Sequence, residues 1–503
     1  MRASSFNLSV FYGKVESITL PQALLILGTF LLVTVLAVFF GLVAITANPV
    51  FVSVAIGLLL TPLIVAKPDW NIWIILVSGL LVAGVLPIWL EGFSSKVVWV
   101  ISLLSFVLML SSLFRAASAF ETIRGTPAFV WLALMFMIFT LLNSLIQWSS
   151  FYEIAGGFKR YYQVMGLLFA LAWLGISERK VHLWRVFFVI IALIQLPWAL
   201  YQLIELVPVR EGIKYFYPGM VPIDVVAGTF GASLYGGGAN AEMATFLIVV
   251  LAFLLARRRE KLIGLGKYLV LLPFILTPLF MGATRVVVIL LPFMFVILYR
   301  RELIARPLHA VLALSMGTLL TLGAGYVYVD QSNMSFDNML IDTLSYNVGD
   351  RGYGGYTLNR STVLTFWAEQ QGANDPVSAI FGNGLGATHG SSGNVSRHYL
   401  GYGISLTAAS ILLWEQGPIG TALFLSMLVC AWRTSGRLQY EAICSSMRAD
   451  AAAIQATLPL FAFYLIYRSA LLESMPFQIV FYSLLGYLAW LHRQHTTYAR
   501  AAA

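Results

Sequence analysis

Apolar runs of roughly 17 to 25 residues recur along this chain from Pro21 to Trp490, each long enough to cross about 30 Å of hydrocarbon as a helix. About 14 such spans are expected, over 21–45, 49–66, 71–90, 97–119, 127–147, 161–177, 183–204, 241–256, 267–283, 285–299, 308–328, 416–432, 452–467 and 474–490. Composition points the same way: of 503 residues 59% are hydrophobic and 11% charged, with a mean hydropathy of +0.84, far from soluble globular values. The expectation is an all-α integral membrane protein, one polytopic domain over residues 1–503. The first twenty residues are polar and mixed, and the first apolar run is too long for a secretory leader, so no cleavable signal peptide is expected. Cys430 and Cys444 both fall near a segment placed in the cytoplasm, so no disulfide framework is implied.

Orientation follows from the basic residues. With the N-terminus inside, ten of the 31 face outward: Lys96, Lys159, Arg160, Arg210, Lys214, Arg285, Arg351, Arg360, Arg397 and Arg468. The rest, including the cluster Arg257-Arg258-Arg259, lie at cytoplasmic ends, and both termini are expected inside. The net charge of +9 is therefore a matter of topology and implies no nucleic-acid partner.

Two outward loops are long, 205–240 and 329–415; the others are short. Long loops held by rigid spans are where a surface site is built. In the larger one, "STVLTFWAEQQ" has helical periodicity with Val363, Leu364 and Trp367 on one face, and Asn374-Asp375-Pro376 breaks it. "FGNGLGATHGSSGN" reads as a glycine loop. "ISLTAASILLWEQ" reads as an amphipathic helix lying along the outer leaflet until Gly417-Pro418 turns the chain into the next span. The shorter loop ends in "YGGGANAE", which delivers Asn240 and Glu242 to the mouth of a helix.

Arginine near hydrocarbon costs roughly 2.5 to 3.5 kcal/mol on insertion scales. Four outward arginines, Arg160, Arg285, Arg360 and Arg468, therefore each ask for a partner or a purpose. Any one of them can be explained by snorkelling or by a lipid phosphate; four together point to a shared anionic ligand. A planar fork of donors that stays charged suits a lipid diphosphate and would stabilise it as a leaving group. For a base the outward histidines are His389 and His398, and the carboxylates Glu242, Glu415, Glu369 and Asp375 are alternatives. Glu415 at its helix junction could equally cap the following helix. No HExxH or paired-carboxylate motif is present, and the first outward loop, "ITANPV", carries no acid, so neither a metal nor another cofactor is expected.

At these residues the chain resembles the O-antigen polymerase and O-antigen ligase superfamily of membrane glycosyltransferases. "GTFGASLYGGGANAEMATFL" is similar to that superfamily's Gly-Thr-Phe followed by Asn at a helix start, and "GATRVVVILLPF" to its Ser-Arg turn, here Thr284-Arg285. "RSTVLTFWAEQQGANDPVSAIFGNGLG" resembles the Arg, Trp, Pro and glycine run of its large outward loop, and "WEQGPIGTALF" the Glu-x-Gly-x-x-Gly opening the next span. The likeness covers residues 228–424. One departure is that Leu406-Thr407 stands where the superfamily carries a histidine, so the catalytic histidine is not transferred.

The resemblance implies a GT-C-like fold in a bacterial inner membrane and metal-independent inverting transfer from an undecaprenyl-diphosphate-linked oligosaccharide. It also implies work beside other polysaccharide assembly proteins, such as a flippase and a chain-length regulator. Arg285 and Arg360, with Arg160 and Arg468, would grip the diphosphate; Trp367 would pack the loop helix or stack on a sugar beside Asn240; and His398, His389, Glu415 or Glu242 would orient the acceptor. A polysaccharide polymerase is the leading expectation, with an O-antigen ligase using lipid A core or a protein as acceptor beside it. A transporter or flippase of the same lipid-linked glycan is the alternative from another class.

Overall fold

The computed structural model describes residue 34, residues 67–305 except 218 and 219, scattered positions between 308 and 349, and residues 351–502 except 354, 373, 374 and 391. The expected spans 21–45 and 49–66, and most of 308–328, lie outside the described residues, as does His309. The helices below belong to the unit Pro68–Ala503.

Among the described residues the regular structure is helical. Six helical stretches are long and apolar enough to cross a membrane: Lys96–Ser118, Ala128–Ile146, Glu178–Phe216, Asn240–Arg259, Ala408–Glu441 and Ser445–Tyr467. The principal helices are α1 (Pro68–Val77), α2 (Glu91–Ser118), α3 (Ala128–Ile146), α4 (Phe151–Tyr162), α5 (Gly166–Trp173), α6 (Glu178–Tyr201), α7 (Asn240–Arg259), α8 (Leu265–Met281) and α9 (Val287–Ala305). They continue as α10 (Thr362–Gly372), α11 (Pro376–Phe381), α12 (Asn394–His398), α13 (Ala408–Glu441), α14 (Ser445–Tyr467) and α15 (Met475–Ala502).

Several expected spans take a different local form. The stretch 71–90 is α1 followed by a π turn, Ser78–Val82, and a 3-10 turn, Leu86–Ile88. The stretch 161–177 is the end of α4, a break at Gln163–Met165, and the short α5. The start of the first long loop is helical: α6 runs through a π turn at Gln202–Leu206 into Val207–Ile213.

Burial separates centre from rim. The apolar window of α7 is 89% buried and that of α14 is 78% buried, against 33% for α2 and 28% for α6 with its extension. Helix α7 is apolar on every side, as a helix surrounded by others must be. It packs against α14, α14 against α13, and α13 against α3, while α5 is covered by α2 and α15. At 1.5 Å rise per residue, α7 carries Glu242 and Arg257 about 23 Å apart, so the buried polar groups collect in layers at its two ends with an apolar core between.

Helix α13 is broken. Gly417 has φ 62° and ψ −175° inside it, followed by Pro418. Proline has no N–H to return to the carbonyl four residues back, which frees Trp414 O, and the non-helical backbone at Gly417 opens the turn around Glu415 O. Both are taken up by the glycine loop: Asn383 donates to Trp414 O through its backbone N and its Nδ2 (each 2.8 Å), and Gly384 N donates to Glu415 O (2.9 Å). Asn143 Nδ2 of α3 also reaches Glu415 O at 3.1 Å. The segment before the break differs from expectation. Ala408, Ser410, Ile411, Leu412, Trp414, Glu415 and Gln416 are buried, so it is an inner helix roofed by α10 and α11 rather than one lying on the leaflet.

Candidate functional site

Two ionic clusters stand at the Asn240 end of α7, joined by the short link between α14 and α15. The first is built on the reversal between α8 and α9 and on the loop before α7. Asn240, at the first turn of α7, donates from Nδ2 to Asp224 Oδ1 and to Gly282 O, each 3.1 Å away. It thereby ties the 3-10 turn Pro222–Val225 to the "GATR" turn, in which Ala283 takes a positive φ of 42°. Arg468, which ends α14, donates to Glu242 Oε2 (3.3 Å) and to Gly238 O (3.2 Å).

Asp224 is the meeting point. Burial pushes its carboxyl above the usual 3.8, and Arg210, Arg468 and Arg285 stand close enough to pull it back down. Arg210 is itself buried and donates to Ser233 O at 2.9 Å. The Arg360 guanidinium carbon lies 4.3 Å from the Tyr467 ring centroid and 4.5 Å from that of Tyr353, a stacking available to a planar cation, and Arg360 also bonds Asn347. Tyr467 feels the charge of both Arg360 and Arg468, which puts those two cations on the same tyrosine. Among the described residues four guanidiniums, Arg210, Arg285, Arg360 and Arg468, thus gather with two carboxylates, Asp224 and Glu242.

The second cluster is an ion-pair network centred on Arg160. Arg160, on the inner face of α4, donates from Nη1 to Glu415 Oε1 (2.5 Å) and Thr388 Oγ1 (2.7 Å), and from Nη2 to Glu473 Oε1 (2.5 Å). Thr388 donates to the same Glu415 oxygen from its backbone N (3.1 Å) and its Oγ1 (2.6 Å). Helix α4 is set by a capping box, with Glu153 N donating to Ser150 Oγ (3.3 Å) and Ser150 N to Glu153 Oε2 (2.8 Å). The other Glu153 oxygen accepts from Asn394 N at 2.8 Å, clasping the far side of the glycine loop. That loop can approach α4 only without side chains: a Cβ on Gly386, whose φ is +74°, would sit 1.9 Å from Glu153 O.

These positions sort the expected site residues. Arg285, Arg360 and Arg468 converge with Glu242 and Asn240. Arg160 does not join them: it is 4% exposed with both terminal nitrogens on carboxylates, so it offers no open fork to a diphosphate and instead fastens the loop to the bundle. Glu415, fully buried and accepting from Arg160 and Thr388, is placed as an anchor rather than as a base at an open surface. Trp367 is partly buried against the loop's own small core, which includes Val363 and Trp414.

The histidines separate as well. His398 is exposed, edge-on to Tyr399 with ring centroids 4.6 Å apart. His389 is half-buried over Gly156 of α4 and bonds Ser392 Oγ at 3.1 Å. Burial and then the Arg160 charge hold its pKa below the usual 6.5, opposed by Glu415 and Glu473. Asp375 caps α11 through Val377 N and Ser378 N, a structural use for that carboxylate.

Sequence reasoning missed Asp224, Thr388 and the grouping of Arg210 with the other arginines. A lone acid in the apolar "VPIDVVAG" was the available signal. No family model matches the chain, and no curated protein matches it.

Proposed function

We propose that the protein is a polysaccharide polymerase that moves a glycan from an undecaprenyl-diphosphate carrier onto the next lipid-linked repeat unit. The observation that carries this is the gathering, among the described residues, of Arg210, Arg285, Arg360 and Arg468 around Asp224 and Glu242. Such a grouping of planar guanidiniums at the end of an apolar helix suits a diphosphate whose lipid tail stays in the bilayer.

In the proposed reaction the acceptor hydroxyl oxygen forms a bond to the anomeric carbon as the bond from that carbon to the diphosphate oxygen breaks. Its electron pair leaves on the diphosphate, where the arginines stabilise the growing charge. His389 is the favoured recipient of the acceptor proton. Burial and the Arg160 charge lower its pKa, which favours the neutral ring, and it feels the charge of Glu473, on the link that follows Arg468. The finer architecture belongs to the same proposal: about 14 spans in a GT-C-like arrangement in a bacterial inner membrane, termini in the cytoplasm, the arginines outside, and chemistry without a metal.

The test is purified protein with a synthetic polyprenyl-diphosphate repeat unit, following lipid-linked chain length, beside Arg285→Ala, Arg360→Ala and Arg468→Ala. A ladder that survives EDTA and is lost in these variants is the expected result. Single transfer only when a lipid A core or protein is supplied would make the enzyme a ligase. Binding of the lipid with no transfer to any acceptor would overturn the enzyme in favour of a transporter.

A further inference from the structure

A second candidate binding site lies at the opposite end of the bundle, where α6 and α7 diverge. A cleft of about 250 Å³ is lined by both, with residues of α1, α5, α8 and α15 completing its walls. Its walls are apolar along their length, with Phe188, Phe246, Val250 and Leu254 among them, and polar at one end only, where His182, Arg185, Arg257 and Tyr487 line it. His182 and Val186 line the cleft and are exposed among the described residues, so it opens on the side of the bundle, through the least buried of the apolar helices.

The polar end carries surplus charge. Asp450, fully buried, receives Arg185 Nη1 (2.9 Å), Arg257 Nε and Nη2 (2.7 Å each) and Tyr487 Oη (2.5 Å). Among the described residues two guanidiniums stand against one carboxylate, leaving one positive charge, with His182 beside Arg185 at 3.1 Å. Two donors there are buried and without an acceptor among the described residues: Arg185 Nε and the indole Nε1 of Trp184, a side chain 5% exposed that lines the cleft. Buried donors of this kind ask for an acceptor that the fold does not supply.

We propose that this cleft is a binding site for an anionic glycerophospholipid, its acyl chain between α6 and α7 and its phosphodiester on Arg185, Arg257 and Trp184. A phosphodiester supplies one negative charge and several acceptor oxygens, matching the single surplus cation and the unpaired donors. The surrounding bilayer supplies the chain. The site is distinct from the arginine group of the proposed reaction, which stands at the far end of α7, about 23 Å away along the helix.

Trp184 supplies the reporter. The full-length protein is placed in phosphatidylcholine vesicles containing increasing fractions of phosphatidylglycerol brominated on its acyl chains, and the quenching lost on Trp184→Phe is followed. The expected result is Trp184-dependent quenching that saturates at a low fraction of the brominated anionic lipid and not with brominated phosphatidylcholine. Arg185→Gln should weaken that preference about tenfold, the scale of one charged hydrogen bond. Val189→Phe, which narrows the cleft and leaves the Asp450 network intact, should abolish the quenching in a protein that remains monodisperse. Equal quenching by both lipids would overturn the proposal. So would absence of quenching by either, the result if another segment of the chain fills the cleft.

Discussion

Replacing Arg160 by methionine removes a buried cation while keeping most of the side chain's volume, and its effect can be worked from the geometry. Glu415 is fully buried and Arg160 is 4% exposed, so solvent cannot take over for the missing partner. Glu415 would retain the two Thr388 donors but lose its only counter-charge among the described residues. Breaking a buried pair from one side costs about 3–5 kcal/mol, whereas replacing both partners by neutral groups is far less costly. Arg160→Met alone should therefore lower the unfolding transition in detergent by roughly 3–5 °C for a chain of this length. Arg160→Met with Glu415→Gln should recover most of that loss.

Because Thr388 sits in the glycine loop, the single variant should also expose that loop. Limited proteolysis between Gly382 and Gly393 should be faster in Arg160→Met than in the double variant. If the single and double variants unfold together, near the wild type, the pair is not what binds the loop to the bundle and the reasoning fails.

His389 gives a prediction in pH. Its folded-state pKa lies below the ordinary 6.5, so the unfolded chain takes up a proton that the fold resists. The stability this contributes is fully present above pH 6.5 and is lost as pH falls below it. The groups facing it are Arg160, Lys159, Glu415 and Glu473, and stability measured against pH should slope less steeply in His389→Gln; an unchanged slope would clear His389 of the effect. Gly417→Ala should cost more than about 1 kcal/mol, because a side chain is strained at this positive φ and the new Cβ would lie 2.2 Å from Ile380 O. A thermal transition equal to wild type would show that the break in α13 relaxes freely.

Much of the helical skeleton is legible in the sequence, since apolar runs and helix-ending residues are local signals. The boundaries of α3, α7 and α8 fall within a few residues of the expected spans, while α14 begins seven residues earlier than its span. Arg468 and Glu242 could be singled out as outward charges, but not as partners. What decided the role of Arg160 was out of reach: its carboxylates lie 255 and 313 residues further along the chain, and no local pattern encodes such a pairing. The burial of Ala408–Gln416 was misjudged for a related reason. Its periodicity describes one apolar face, and only the packing of α10 and α11 reveals that the other face is covered too.

The break at Gly417-Pro418 has a consequence for biosynthesis. Residues 382–388 leave the ribosome before the Trp414 and Glu415 carbonyls that will hold them, and long after α4 on their other side. The loop therefore spends an interval with its first support made and its second not yet synthesised. Its two carbonyl partners arrive only with α13, so the loop's second support follows its first by the time needed to translate the intervening residues.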